Sequence, residues 1–279
     1  MEAAGPPSIL LQLAVTIIAL LIVYGLMTFI DKSMQAYSTA SKTMAVLVED
    51  TTGDTVTIPQ SLQSNSPILY PSSNQSSGIE FTYSCFLNIS ADTFSNPSRS
   101  LKHVFSKGTT KSFPLMAPGV FCRSDKNTLR VYMNTVDTWD NFVEVDNIPI
   151  AKWFHLVIIL KGNYMDVYIN GNVAQRTQFR TVPKINYGPV YVFNNRHFPD
   201  GTSVSQKDFV VDGAAKGMIS RLQYFAYALN YSYIDSLYRK GPSAKMSGAN
   251  VTELVPYMTD TWWTNQISGD ASPTIAVGA

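Results

Sequence analysis

The apolar positions of this chain follow two different rhythms. Residues 8–30, SILLQLAVTIIALLIVYGLMTFI, form one continuous apolar run without a charge, with Gln12 and Thr16 among its few polar side chains. At ~1.5 Å per residue the run spans ~34 Å, enough to cross a ~30 Å hydrocarbon layer as a helix. Gly5-Pro6-Pro7 stops it on one side, and Asp31 and Lys32 end the apolar stretch on the other. Residues 1–7 hold no Lys or Arg. A cleaved signal peptide has a basic start and an apolar stretch of ~7–15 residues, so this segment is expected to stay as a membrane anchor. Nothing basic precedes the helix, whereas Lys32 and Lys42 follow it. That asymmetry places the following domain on the cytosolic side.

From residue 79 the rhythm shortens. IEFTYSCFLNI alternates Phe81, Tyr83, Cys85 and Leu87 on one face; HVFSKG, GVFCR, TLRVYMNT and NFVEVDNI follow, separated by Pro, Gly, Asn or Asp. Many short strands with such punctuation predict an antiparallel sandwich or barrel. WFHLVIIL and YMDVYIN read as strands joined at Lys161-Gly162-Asn163. Asn170-Gly171 then supplies the two positive-φ positions of a type I′ turn. GMISRLQYFAYAL is the last strong strand. SYIDSLYRKG reads as a short helix with Ser232 and Asp235 at capping-box spacing and Gly241 at its C-terminal end. Phe81, Trp153, Leu156, Val167, Ile169 and Leu222 are the expected core. Between anchor and sandwich, residues 31–78 read as a stalk with two short strands around Gly53-Asp54. The organisation is therefore a tail (1–7), a transmembrane helix (8–30), a stalk (31–78), a β domain (79–242) and a C-terminal tail (243–279).

Composition narrows the function. Hydrophobic residues make up 45% of the chain and charged residues only 15%, with net charge +1. No Lys/Arg run accompanies that balance, so nucleic acid is not an expected partner. Cys85 and Cys122 are the only cysteines. They fit either one disulfide in an oxidising compartment or two buried thiols. Four N-x-S/T sequons stand at Asn74, Asn88, Asn230 and Asn250; on the cytosolic side they would go unused.

The stretches FTYSCFLNI, HVFSKG, PGVFCRSDKNTLRVYMNT, NIPIAKWFHLVIILKGNYMDVYINGN and GMISRLQYFAYALNYSYIDSLYRKGP resemble the concanavalin A-like lectin/glucanase superfamily in its laminin G-like form. The resemblance covers roughly residues 79–242. It implies an all-β, two-sheet antiparallel jelly roll. A single membrane helix ahead of such a domain, with the DTWWTN tail, is also similar in layout to membrane-anchored minor capsid and virion proteins of large DNA viruses.

Glucanases of that superfamily carry carboxylates at alternate positions of one strand, which points them into one groove. Here VEVDNIP offers Glu144 and Asp146 but no third carboxylate, and Pro149 breaks the strand; the pair reads as a solvent-facing strand edge. His103, His155 and His197 are isolated, and no serine or cysteine is spaced as a nucleophile beside them. Asp137 and Asp140 in DTWDN are too sparse for a dedicated calcium loop. Trp139, Tyr187, Arg196 and Phe198 are the candidate platform for a glycan. Trp262 and Trp263 are candidate docking side chains for a protein partner. No catalytic residue, metal ligand or cofactor is expected. The reading is a non-enzymatic structural protein, joined to a lipid bilayer through residues 8–30 and to other structural proteins of a shell or complex. The alternative is a carbohydrate-binding surface lectin or adhesin.

Overall fold

The computed structural model describes residues 9–64, 66–73, 75–96, 98–109, 115–198 and 209–247. Helix α1 runs Ile9–Thr43, 35 residues. It continues past Ile30, where the apolar run stops, because residues 31–43 contain neither Pro nor Gly. Charge ends the membrane-compatible part without ending the hydrogen-bond ladder. Within it Leu11–Met34 is long and apolar enough to cross a bilayer, and none of that stretch is buried against the rest of the chain. Strand β1 (Met44–Val48) follows at once. The Ala226 N–H donates to the Thr43 carbonyl at 2.8 Å, so the end of α1 is already tied to the last strand.

The remaining strands are β2 (Val56–Ile58), β3 (Glu80–Ile89), β4 (Leu101–Thr109), β5 (Leu115–Arg123), β6 (Leu129–Met133), β7 (Asn141–Val145), β8 (Phe154–Lys161), β9 (Tyr164–Ile169), β10 (Asn172–Gln178), β11 (Val190–Val192), β12 (His197–Phe198), β13 (Val211–Ala214) and β14 (Gly217–Phe225). Six form one sheet in the order β1-β14-β3-β8-β9-β10, every neighbouring pair antiparallel. The second sheet runs β12-β13-β4-β5-β6-β7, with β11 between β4 and β2. Its pairs are antiparallel except β13 with β4.

The stretch expected as stalk is thus built into the sandwich. β1 edges the first sheet, β2 joins the second, and Leu69 is buried in the shared core. The two short strands were legible from alternation; their long-range partners were not, because β1 pairs with residues some 180 positions later.

Phe81, Tyr83, Cys85, Leu87 and Ile89 of β3 meet Phe105, Val120, Cys122 and Val131 of the opposite sheet in one core. Both thiols are free and buried, and burial pushes both pKa values up. Leu156, Val167 and Leu222 are buried as the pattern predicts, but Trp153 and Ile169 are only half-buried, because they sit at strand ends.

The first sheet is covered on its outer side too. Helix α2 (Tyr231–Lys240) lies over it, and Ile234 and Leu229 pack on Val157, Ile159 and Phe225. That second contact explains why FHLVIIL reads as a nearly unbroken apolar run. The cap of α2 is Asn230, whose side chain accepts the Tyr233 N–H at 2.9 Å, rather than the expected Ser232 box. Gly241 closes the helix at φ 69°. The β8–β9 turn uses Gly162 at φ 60°, and the β9–β10 turn uses Asn170 at 50° and Gly171 at 80°, the I′ signature.

Leu87→Ala should cost ~2–5 kcal/mol, as cavity-forming truncations do. Asn230→Ala should cost only about 1 kcal/mol, the usual value of a helix cap. Denaturant titration followed by tryptophan fluorescence measures both, and equal costs would contradict this picture of the core.

Candidate functional site

The second sheet also has an outer face, and side chains of its own chain close part of it. Phe121 of β5 and Tyr132 of β6 point outward there, and Phe209 packs edge-on against both, with centroids 5.7 and 5.1 Å away. Phe198 of β12 and Trp139 reach the same ring at 5.3 and 5.2 Å. Leu101, Met116 and Val211 complete this apolar patch. The candidate glycan quartet is therefore not one open platform. Phe198 is buried and Trp139 half-buried in the cluster. Arg196 lays its guanidinium 4.1 Å over the Tyr191 ring, and Tyr187 stands apart on another edge, 76% exposed. The residue that gathers the cluster, Phe209, carries no motif; only its place in the apolar run FVV of residues 209–211 hints at burial.

Beside the aromatics lies a charged network. Arg130 donates from Nη2 and Nε to Glu144 Oε1 at 2.7 and 3.0 Å, Arg123 Nη1 donates to the same oxygen at 3.3 Å, and Lys126 stands 3.8 Å from Oε2. The Arg130 guanidinium also sits 4.2 Å over the Phe142 ring. β6 and β7 create this contact directly, since Arg130 pairs with Glu144 in register. Burial works against the Glu144 charge, but the hydrogen bonds and charge of Arg130, with Arg123 and Lys126, outweigh it and hold the carboxyl below its usual range. Asp146 accepts from Thr128 Oγ1 at 2.5 Å and Lys126 Nζ at 3.1 Å, which lowers it as well. A glycosidic general acid needs the opposite shift. The pair does stand at a sheet edge, with Asp146 exposed as expected, while Glu144 is drawn into a partly buried ion network; both carboxylates serve as acceptors.

His103 is buried, with its tautomer set by two contacts: the Asn194 N–H donates to Nδ1 at 3.0 Å, and Nε2 meets Ser106 Oγ at 2.9 Å. Burial, reinforced by the Arg196 charge, lowers its pKa to about 3. His155 meets Ser84 Oγ at 2.8 Å and stacks between Phe86 and Tyr238; burial lowers it to about 4. His197 is exposed and pairs with Asp212 at 3.1 Å. Asp137 accepts from Thr135 and Thr181 hydroxyls, while Asp140 makes no contact with it. Among the described residues no three His, Cys, Asp or Glu side chains gather as a metal site. Trp262, Trp263, Asn74 and Asn250 lie outside the described residues.

A family model described as the concanavalin A-like lectin/glucanases superfamily matches residues 50–234. Comparison with curated proteins finds no match. Similar solved structures include the receptor-binding domain of botulinum neurotoxin C/D mosaic serotype (15% identity, 58% of this chain and 36% of that one, TM-score 0.43). The receptor-binding domain of botulinum neurotoxin D is similar at 17% identity over 71% of this chain and 44% of that one, TM-score 0.45. The serotype D ligand-binding domain in complex with N-acetylneuraminic acid gives 16%, 71%, 42% and 0.45. The chain thus spans less than half the length of these structures, and likeness of this degree carries no functional inference.

The buried histidines predict an acid-sensitive fold. Both are neutral when folded and free to bind protons when unfolded, at ~6.5. Their contribution to stability is full above that value and is lost as pH falls towards their folded pKa values. The unfolding midpoint should therefore be lower near pH 5 than near pH 7, and His155→Gln should shrink the difference. An unchanged difference would show that other groups carry it.

Proposed function

Because the chain belongs to the concanavalin A-like lectin/glucanases superfamily, a lectin-like binding fold, we propose that it is a non-enzymatic binding module held at a membrane. In this reading α1 spans the bilayer, and the sandwich ties it to structural proteins of a surrounding shell or complex. A capsid assembled around an internal virion membrane is the setting its layout resembles. The observation that carries the reading is the junction at Thr43-Met44. The helix passes into an edge strand of the sheet without a loop, which suits a tether of fixed reach better than a lectin displayed on a flexible stalk. Residues 35–43 add ~14 Å of helix beyond the apolar span. The internal use of Trp139, Phe198, Glu144 and Asp146 supports the same reading, since each is engaged within the chain. Trp262 and Trp263 would provide aromatic anchors for the partner.

One observation favours a second reading, a glycan-binding surface lectin: the Tyr187 ring is exposed at the mouth of a cleft, where a sugar could stack.

Mild-detergent extracts of native membranes separate the two. The tether predicts that the chain migrates in a larger complex, and that Trp262→Ala/Trp263→Ala releases it while both forms still float with lipid vesicles. A chain that migrates alone and binds a glycan array, with binding lost in Tyr187→Ala, would replace the tether with the lectin.

A further inference from the structure

Among the described residues, the end of the sandwich where β3 begins and β4 ends holds an open cleft of about 180 Å³ that enters between the sheets. Its walls are mostly apolar, with Leu69, Pro71, Ile79, Phe81, Ala117 and Ile185 among them, and Tyr187 stands at its mouth. Among the described residues, two polar groups in this apolar setting lack a full set of partners. Tyr83 is 1% exposed, lines the cleft, and its hydroxyl has no hydrogen-bond partner. Lys107 is 7% exposed and also lines it. Its Nζ donates to the carbonyls of Asn186 and Gly188, each at 2.9 Å. An ammonium has three donors, so one remains. Among the described residues no carboxylate lies within ion-pair distance of Nζ.

Two other titratable groups of the cleft, Glu80 and Tyr224, are occupied, while Tyr187 is exposed at its mouth. Glu80 accepts the Ser77 hydroxyl at Oε1 and the Ala228 N–H at Oε2. Tyr224 donates its hydroxyl to the Tyr70 carbonyl at 2.7 Å. A buried cation without a counter-charge costs free energy, and Lys107 lines an accessible cavity; the Tyr83 hydroxyl is sealed behind its own ring, out of reach of solvent. We propose that this cleft binds a small carboxylic acid with an apolar body, its carboxylate taking the open Lys107 donor and its body lying against the apolar walls and the Tyr83 ring. The assignment is independent of the tether reading and concerns a different part of the sandwich. Burial lowers Lys107 to about 8, so a bound anion would stabilise its charged form and draw in a proton near that pH.

Calorimetric titration of the full chain in lipid nanodiscs tests this with benzoate, against benzamide as the uncharged isostere. Benzoate should bind saturably and benzamide about tenfold more weakly, the value of a charge-assisted contact. Near pH 8 benzoate binding should take up protons, seen as a heat that depends on the ionisation enthalpy of the buffer. Lys107→Met should remove both the binding preference and the proton uptake. Lys107→Gln provides a second variant in case Lys107→Met fails to fold. Its amide can still donate to the Asn186 and Gly188 carbonyls but carries no charge, so it should weaken benzoate to the level of benzamide. Absence of benzoate binding, equal binding of benzamide, or undiminished affinity in Lys107→Gln would each overturn the proposal.

Discussion

Burial of the centre of the first sheet on both of its faces is the constraint on which the rest of this structure depends. β3 and β8 lie at its centre, hydrogen-bonded on both edges. Their inward side chains form the inter-sheet core, and outward ones such as Val157 and Ile159 pack under α2. Sheets in most sandwiches leave one face to water and alternate accordingly. Here a helix closes the second face, so the last strand must run straight into α2 and the first strand must fill the edge beyond it. β1 does so by pairing with β14, which brings the end of α1 to the sheet. Helix α1, edge strand, last strand and covering helix are therefore one connected unit.

Much of this was legible in the chain because it is local. The Asn170-Gly171 turn, the β8–β9 hairpin, the α2 segment and the apolar span of α1 each follow from residues within one short window. What could not be read is what joins distant windows. Met44–Val48 looked like stalk because its partner strand lies near the other end of the domain. The apolar run ending at Ile30 marked the limit of hydrocarbon compatibility, whereas the helix itself runs to Thr43 because nothing before that point breaks it. Trp153 was expected in the core for its size, yet it precedes β8 rather than lying within it.

The candidate chemistry failed to assemble for a related reason. Residue type alone placed Trp139, Tyr187, Arg196 and Phe198 in one group. The segment around Phe209 instead draws Trp139 and Phe198 into an aromatic patch and leaves Tyr187 at the cleft of the sandwich end. Glu144 and Asp146 share a face, as alternate strand residues must, but that face also carries Arg130, and register makes it the partner of Glu144. Pairing lowers the carboxyl and removes it from acid catalysis. Among the described residues, Lys107 and Tyr83 keep incomplete polar groups; they lie in HVFSKG and FTYSCFLNI, but neither stretch alone shows that the two residues line one cavity, which only the approach of two sheets brings about.

α1 continues into the sandwich without a loop, and under the proposed tether this would set a fixed distance between bilayer and sandwich. Pulsed electron–electron double resonance between spin labels at Met34→Cys and Val173→Cys, in nanodiscs, tests it directly. Cys85 and Cys122 are buried and would not take the label. A single narrow distance distribution is predicted, unchanged by lipid thickness. A broad distribution, as from a flexible stalk, would contradict the account.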